Sequence, residues 1–162
     1  GLNSPFADRF ALVEALESIS QELRRKEETP SLEGPRVMLV GSTLAVGDYK
    51  VVDLLEEAGA TVVFEEFAEG MRHYSQKVDI DGDLMEALSQ RYFMKRFPSA
   101  YAKPATRERS DFYLKQAKEF NVDGIVWYSL MYRDIYDMEG FLFEQAAGKP
   151  YISCNISSVL GA

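Results

Sequence analysis

The sequence VDGIVWYSLMYRDIYDMEG, residues 122–140, decides the fold of this chain. It begins with the turn-forming pair Asp123-Gly124, and the apolar, β-branched and aromatic run at 125–128 is typical of a strand buried on both faces. Residues 129–133 then interrupt this run with small, polar and charged side chains. Asp134 follows, and an acidic residue suits the first turn of a helix, where backbone N–H groups point outward. This order predicts a crossover at the carboxyl end of a parallel strand, where open α/β sheets bind ligands.

The same alternation of strand and helix occurs on both sides of this stretch. Residues 36–40 are predicted to form a strand with the apolar run VMLV, and the helix after it is predicted to end at Gly59. Residues 61–64 form the next strand, and such a unit with a short connection is parallel and right-handed. The remaining predicted elements are helices at 84–97, 106–120 and 135–147 and a strand at 151–156. We therefore predict an α/β fold: an open, doubly wound parallel sheet of about four strands in the order 2-1-3-4, Rossmann- or flavodoxin-like, with an N-terminal helix.

Apolar residues at helical spacing predict which side of each helix faces the core. The predicted core positions are Val51, Leu54, Leu55 and Ala58 in the first crossover helix, Leu84, Leu88 and Tyr92 in the next, and Phe112, Ala117, Phe120 and either Tyr113 or Leu114 in the third. The charged residues Glu65, Glu66, Glu69, Arg72 and His73 are predicted to lie beyond the second strand.

The N-terminal part of the chain is predicted to be separate from the α/β fold. Residues 6–26 have apolar side chains at spacings of three and four, which predicts a helix. A linker rich in Pro and Gly follows. We therefore divide the chain into residues 1–35, the tail of an upstream domain, and residues 36–162, the C-terminal α/β domain of a longer protein.

Composition excludes several classes of partner. The 162 residues have a net charge of -8, and the 18 basic residues form no dominant stripe, so we expect neither a nucleic-acid surface nor attachment to a membrane. No apolar run approaches the roughly 20 residues of a spanning helix. A single cysteine excludes an internal disulfide and indicates a reducing, cytoplasmic location.

Polar residues follow three parts of the predicted sheet edge. The candidate ligand-binding residues are Ser42, Arg72, Ser129, Arg133 and Asp134. The segment that contains Gly41 and Gly47 has neither the Lys of a phosphate-binding loop nor the third Gly of a dinucleotide-binding turn. Ser42 is therefore expected either to lie in a tight turn or to bind an anion together with free backbone N–H groups. The one Cys and one His are far apart in sequence, so we expect no metal or cluster on this chain.

The succession of five segments resembles the C-terminal domain of the 2-hydroxyacyl-CoA dehydratase subunits, which are related to the benzoyl-CoA reductase subunits. The segments are RVMLVGS, DLLEEAGATVVFEEFAEGMR, ALSQRYF, VDGIVWYSLMYRDIYDMEG and GKPYISCNIS, and they cover roughly residues 36–157. The resemblance implies two paralogous subunits, a [4Fe-4S] cluster beside an acyl-CoA substrate and an ATP-dependent activator that delivers an electron. It also implies anaerobic metabolism and cluster cysteines that lie mostly in other domains.

One cluster ligand of the family belongs to a Cys-Asp pair after the strand that matches 125–128, and here that pair reads Arg133-Asp134. Arginine cannot ligate iron, because it has no acceptor and stays protonated. Cys154 lies in the next predicted strand and does not replace the thiol. Three alternatives follow: the cluster is bound differently, the subunit has lost the cluster and kept the fold, or Arg133 holds an anion, such as a carboxylate or a CoA phosphate, in bidentate fashion.

Three interpretations remain open at this point. The chain is a domain of a dehydratase-type enzyme subunit, a cluster-free relative that serves as a binding or structural partner, or a flavodoxin-like domain that binds a nucleotide or nothing.

Overall fold

A computed structural model of the chain describes residues 8–26, 33–44, 47–67, 71, 76–95, 105–148 and 150–156. The chain divides into two units, Gly1–Glu33 and Gly34–Ala162. Among the described residues, no helix is both long and apolar enough to cross a membrane.

The first unit contains one described helix, α1, at Arg9–Arg25. It begins later than residue 6 because Asp8 caps it: the Asp8 carboxylate accepts a hydrogen bond from the Ala11 N–H at 2.9 Å. Arg24 and Arg25 lie in the last turn, where cations offset the helix dipole. The predicted N-terminal helix is therefore confirmed over the residues that are described.

In the described part of the second unit, four strands form one parallel sheet in the order β2-β1-β3-β4. Their bounds are Arg36–Gly41 for β1, Thr61–Glu66 for β2, Gly124–Leu130 for β3 and Tyr151–Ile156 for β4. Val40 of β1 is paired with Glu66 on one side and Trp127 on the other. The predicted fold class and strand order are confirmed.

The helices between the strands start and end where local sequence chemistry requires. They are α2 at Lys50–Glu57, α3 at Leu84–Ser89 with a π-helical turn at Gln90–Met94, α4 at Ala105–Glu119 and α5 at Asp134–Ala147. Asp83 caps α3 by accepting hydrogen bonds from the N–H groups of Met85 at 2.8 Å and Glu86 at 2.9 Å. After α5, Gly148 adopts a left-handed φ of +58°, which favours glycine and ends the helix.

The sheet is covered by helices on both faces, as its strand order predicts. We call one side the α2 face; its buried residues are Val37, Leu39, Val51, Phe67, Val126 and Tyr128. The other side is the α4–α5 face; its buried apolar residues are Met38, Val40, Phe64, Tyr113, Ala117, Val122, Ile125, Trp127, Phe143 and Ala147. The predicted inward positions of the third crossover helix lie here: Tyr113 and Ala117 are buried, and Phe112, Leu114 and Phe120 pack around them.

Two predicted helix faces are wrong, one in part and one in full. In α2, Val51 and Leu55 face inward as predicted, but Leu54 is 60% exposed and Ala58 is also exposed. Val52 packs inward instead, because it shares one side of this short helix with Val51 and Leu55. In the helix from residue 84, Leu84, Leu88 and Tyr92 are exposed, whereas Arg91 is buried. The π-helical turn changes the angular spacing of side chains from Gln90 onward, so a pattern of 3.6 residues per turn no longer applies to Arg91 and Tyr92. Leu84 and Leu88 precede this turn, and their predicted inward positions are wrong independently of it. Arg91 donates a hydrogen bond to the Gln76 carbonyl at 2.8 Å.

Candidate ligand-binding site

Two of the predicted site residues lie side by side at the carboxyl edge of the sheet. Gly41 is paired with Tyr128, so Ser42 and Ser129 are the next residues along the adjacent strands β1 and β3. Both serines have no exposed surface. The strand ends thus bring together hydroxyl groups from residues far apart in sequence, as parallel topology predicts.

Gly41 is the residue that allows this close approach. Its φ is +129°, and a Cβ added there would overlap the carbonyl oxygen of Tyr128. That carbonyl accepts a hydrogen bond from the Ser42 N–H at 2.8 Å. The backbone N–H of Ser42 is therefore used within the fold and is not available to an anion.

Unlike its backbone N–H, the hydroxyl of Ser42 is not hydrogen-bonded within the described part of the fold. The Ser42 Oγ is buried and has no hydrogen-bond partner among the residues that the structure describes. The Ser129 Oγ lies 3.5 Å from the Leu130 carbonyl oxygen, which is a long contact. Since a buried hydroxyl without a partner costs free energy, the Ser42 Oγ is the group at this edge best suited to accept or donate a bond to a ligand.

Arg133 and Asp134 follow β3 and are both exposed. The Arg133 N–H donates to the Leu130 carbonyl at 3.0 Å, which closes a turn, and the Arg133 carbonyl accepts from the Tyr136 N–H at 2.8 Å. Within this turn Tyr132 adopts a φ of +66° and is 87% exposed. The backbone of Arg133 is thus fixed by the first turn of α5, while its guanidinium remains accessible.

Arg72 lies outside the described residues, so its position relative to the other candidates stays a prediction. The chain just before it is organised by Glu65. The two carboxylate oxygens of Glu65 accept hydrogen bonds from the Phe67 N–H at 3.0 Å and the Met71 N–H at 2.8 Å. Glu65 and Glu66 were expected beyond the second strand, but β2 continues through both of them.

A buried charged cluster was not predicted from the sequence. It consists of Glu66 at the end of β2, Arg109 and Tyr113 in α4, and Glu139 in α5. Burial, and next the negative charge of Glu66, raise the pKa of the Tyr113 hydroxyl well above its ordinary value, so this group is a hydrogen-bond donor at neutral pH. The available signals were the spacing of two between Glu66 and the apolar Phe64, which places both side chains on the same face of β2, and the spacing of four between Arg109 and Tyr113.

Comparison with known proteins gives this edge a context. The family model described as 2-hydroxyglutaryl-CoA dehydratase, D-component, matches residues 2–159. The chain belongs to this D-component family. It is also 28% identical over 152 residues to the "Putative dehydratase subunit YjiM" of Escherichia coli (strain K12). That match covers 90% of this chain and 39% of the relative, so the chain spans about two fifths of the relative's length.

The residues of this D-component chain do not fit an iron–sulfur cluster at the end of β3. A cluster is held by thiolates, and Arg133 offers none. Cys154, the single cysteine, is a residue of β4 and does not belong to the turn after β3. The donor set at this edge consists of hydroxyls, a guanidinium and a carboxylate, which suits an anionic or hydroxylated ligand.

Proposed function

We propose that this chain is a domain of a 2-hydroxyacyl-CoA dehydratase-like subunit and that it binds part of the acyl-CoA at the carboxyl edge of its sheet. The assembled enzyme removes water from the substrate, and a benzoyl-CoA reductase-type reduction of an acyl-CoA is the related alternative. The observation that carries the proposal is the junction of β1 and β3, where Ser42, Ser129 and the Arg133 turn meet. Membership of the D-component family supports it.

The side chains at this edge have complementary roles in the proposal. The exposed Arg133 guanidinium pairs with a CoA phosphate or a substrate carboxylate, which it recognises with two parallel N–H donors. The Ser42 hydroxyl, buried and without a partner among the described residues, bonds a polar atom of the same ligand. Asp134 lies at the N-terminus of α5 beside this position, and it orients the guanidinium or the substrate hydroxyl.

We also propose the partners that such a subunit requires. These are a paralogous dehydratase subunit, an ATP-dependent activator and an acyl-CoA, in the cytoplasm. Any [4Fe-4S] cluster of the assembly is held by other cysteines, because the Arg133 turn supplies no thiolate.

A second function is favoured by one observation. Arginine stands where the resemblance to the dehydratase subunits expects a cluster cysteine, and it remains exposed at the sheet edge. A subunit that has exchanged this ligand serves as a cluster-free binding or structural partner of a catalytic subunit.

The test uses the full-length protein assembled with its partner subunit. Arg133→Ala should raise the Kd for a 2-hydroxyacyl-CoA by about tenfold, the effect expected from losing a hydrogen bond to a charged group. Isothermal titration at two salt concentrations measures this, and Arg25→Ala in α1, also exposed, is the matched control. Equal affinities of the two variants would contradict the ligand role of Arg133.

Turnover separates the two candidate functions. If the chain is part of a catalytic subunit, the activated assembly dehydrates the substrate and the partner alone does not. If the partner alone has full activity, the cluster-free structural role is the correct one.

A further inference from the structure

We propose that Arg109 is a positioning residue: with Glu66, Glu139 and Tyr113 it forms a buried cluster that fixes the start of α5 and, through it, the turn that carries Arg133. The link to ligand binding rests on the proposed function. The structural part of the proposal, that this cluster determines where α5 begins, stands independently of any ligand.

The cluster is a continuous chain of hydrogen bonds around one guanidinium. Arg109 donates from Nε to the Glu139 carboxylate and from Nη2 to the Tyr113 hydroxyl. The Tyr113 hydroxyl donates in turn to Glu66 Oε2 at 2.7 Å, and the Arg109 Nη2 lies 3.8 Å from that same oxygen. Arg109, Tyr113 and Glu66 have no exposed surface, and Glu139 is 4% exposed. Such a cluster is stable only in a narrow geometry, because each charge must keep its partners.

The cluster reaches α5 in its second turn, and neighbouring contacts fix the helix against the sheet. The Trp127 indole N–H donates to the Tyr136 carbonyl at 3.0 Å. Gly140 packs on the same indole so closely that a Cβ there would lie 2.7 Å from its Nε1. The Tyr151 hydroxyl donates to the Gly140 carbonyl at 3.1 Å. Glu139 lies between Tyr136 and Gly140, the two positions that make these contacts, so its bond to Arg109 determines the rotation of α5 about its axis.

The start of α5 and the site turn are one hydrogen-bonded unit. The Arg133 carbonyl accepts from the N–H groups of Tyr136 at 2.8 Å and Asp137 at 3.3 Å. On its other side, the Arg133 N–H is bonded to Leu130 at the end of β3. A rotation or shift of α5 therefore changes the direction of the Arg133 side chain.

The cluster also connects this turn to the end of β2. Glu66 enters the cluster from the last position of β2, and the preceding residue, Glu65, binds the Met71 N–H just before Arg72. Successive residues of a strand point to opposite faces. The end of β2 thus accepts the N–H groups of Phe67 and Met71 with one carboxylate and anchors α4 and α5 with the next.

The test is hydrogen exchange in the full-length protein, with CoA binding measured beside it. Glu139→Gln keeps the side-chain size and removes the charge that Arg109 pairs with. We expect the Tyr136 and Asp137 amides to exchange about tenfold faster relative to the Leu39 amide of β1, the scale of one charged hydrogen bond. The Kd for CoA should rise by a similar factor.

Phe143→Leu is the control, because it weakens the packing of α5 one turn further on, including the edge-on contact with the Tyr113 ring at 5.4 Å, but removes no hydrogen-bonding group of the cluster. It should change exchange of all three amides in parallel. Tyr113→Phe, which keeps the ring and removes one hydroxyl, is the second variant if Glu139→Gln fails to fold, and it should give about a threefold change in the same direction. If the variants accelerate Tyr136 and Asp137 no more than Leu39, the cluster is merely structural and the proposal is overturned. Faster local exchange with unchanged CoA affinity would keep the positioning role and contradict a contact between Arg133 and a CoA phosphate.

Discussion

The two faces of the sheet are built on different principles. The α2 face is held by apolar contacts. Among its described buried residues, Tyr128 is the one with a polar group, and its ring packs edge-on against Phe67 with ring centroids 6.0 Å apart. The α4–α5 face is apolar at one end, around Met38 and Ile125, and charged at the other, around Arg109. Apolar packing tolerates small shifts, whereas a buried ion cluster accepts few arrangements. The face that contains the buried ion cluster is also the face covered by α5, the helix that begins directly after Arg133.

The difference between the two faces predicts that the largest loss of stability occurs on replacing Arg109. Arg109→Met leaves the carboxylates of Glu66 and Glu139 buried without their cation and should lower the free energy of unfolding by roughly 3–5 kcal/mol. Urea unfolding followed by the fluorescence of Trp127, the single tryptophan, measures this. Arg107→Met, in the same helix but exposed, is the control and should change it by less than about 0.5 kcal/mol.

A triple variant sharpens the same point. When Glu66 and Glu139 are also replaced by Leu, no buried charge is left alone, and most of the lost stability should return. Stability that recovers while the fast exchange at Tyr136 persists would separate the energetic from the positional role of the cluster. A single Arg109→Met variant as stable as the wild type would remove the distinction between the two faces.

A smaller effect is expected where α5 touches β3. Gly140→Ala places a Cβ 2.7 Å from the Trp127 Nε1 and should cost about 1–3 kcal/mol by overpacking. Gly124→Ala is the matched control, because its Cβ would lie 3.7 Å from the Pro150 carbonyl oxygen, an ordinary contact. Thermal unfolding of both variants checks this, and equal melting temperatures would show that α5 can move away from the sheet at little cost.

An effect of similar size is expected on the α2 face. Val51→Ala should cost about 2 kcal/mol, since about 0.8 kcal/mol is lost per buried CH₂ and a cavity term is added. Leu54→Ala, in the same helix but exposed, should change stability by less than about 0.5 kcal/mol. Urea unfolding of the pair decides whether apolar burial alone stabilises this face. A larger loss at Leu54 would mean that α2 presents its other side to the sheet.

Prediction from sequence worked where a pattern is local and regular. The run at 125–128 and the helix pattern at 106–120 identified their elements, since burial on both faces or on one stripe leaves a clear periodicity. It failed at Leu54 and Tyr92. In α2 several rotations of a short helix bury similar apolar area, and after Ser89 the π-helical turn breaks the period.

For the candidate site, too, the sequence predicted some features and not others. The sequence placed Ser42, Ser129 and Arg133 after strands of one parallel sheet, and the paired register brings the two serines to adjacent strand ends. It did not indicate which atoms there are free. The Ser42 N–H is used by Tyr128, whereas its hydroxyl is buried with no partner among the described residues, because the close approach at Gly41 sets both.

The sequence by itself therefore determined the parallel sheet, its strand order and the edge where Ser42 and Ser129 lie side by side, because hydrophobic period and crossover handedness are properties of short segments. Only the tertiary structure decided that Glu66, Arg109 and Glu139 lie inside the protein. Their partners are 30 and 47 residues away along the chain, and each residue alone reads as a solvated charge. A charge is buried only when its counter-charge arrives from another element, and that condition exists only in the folded chain.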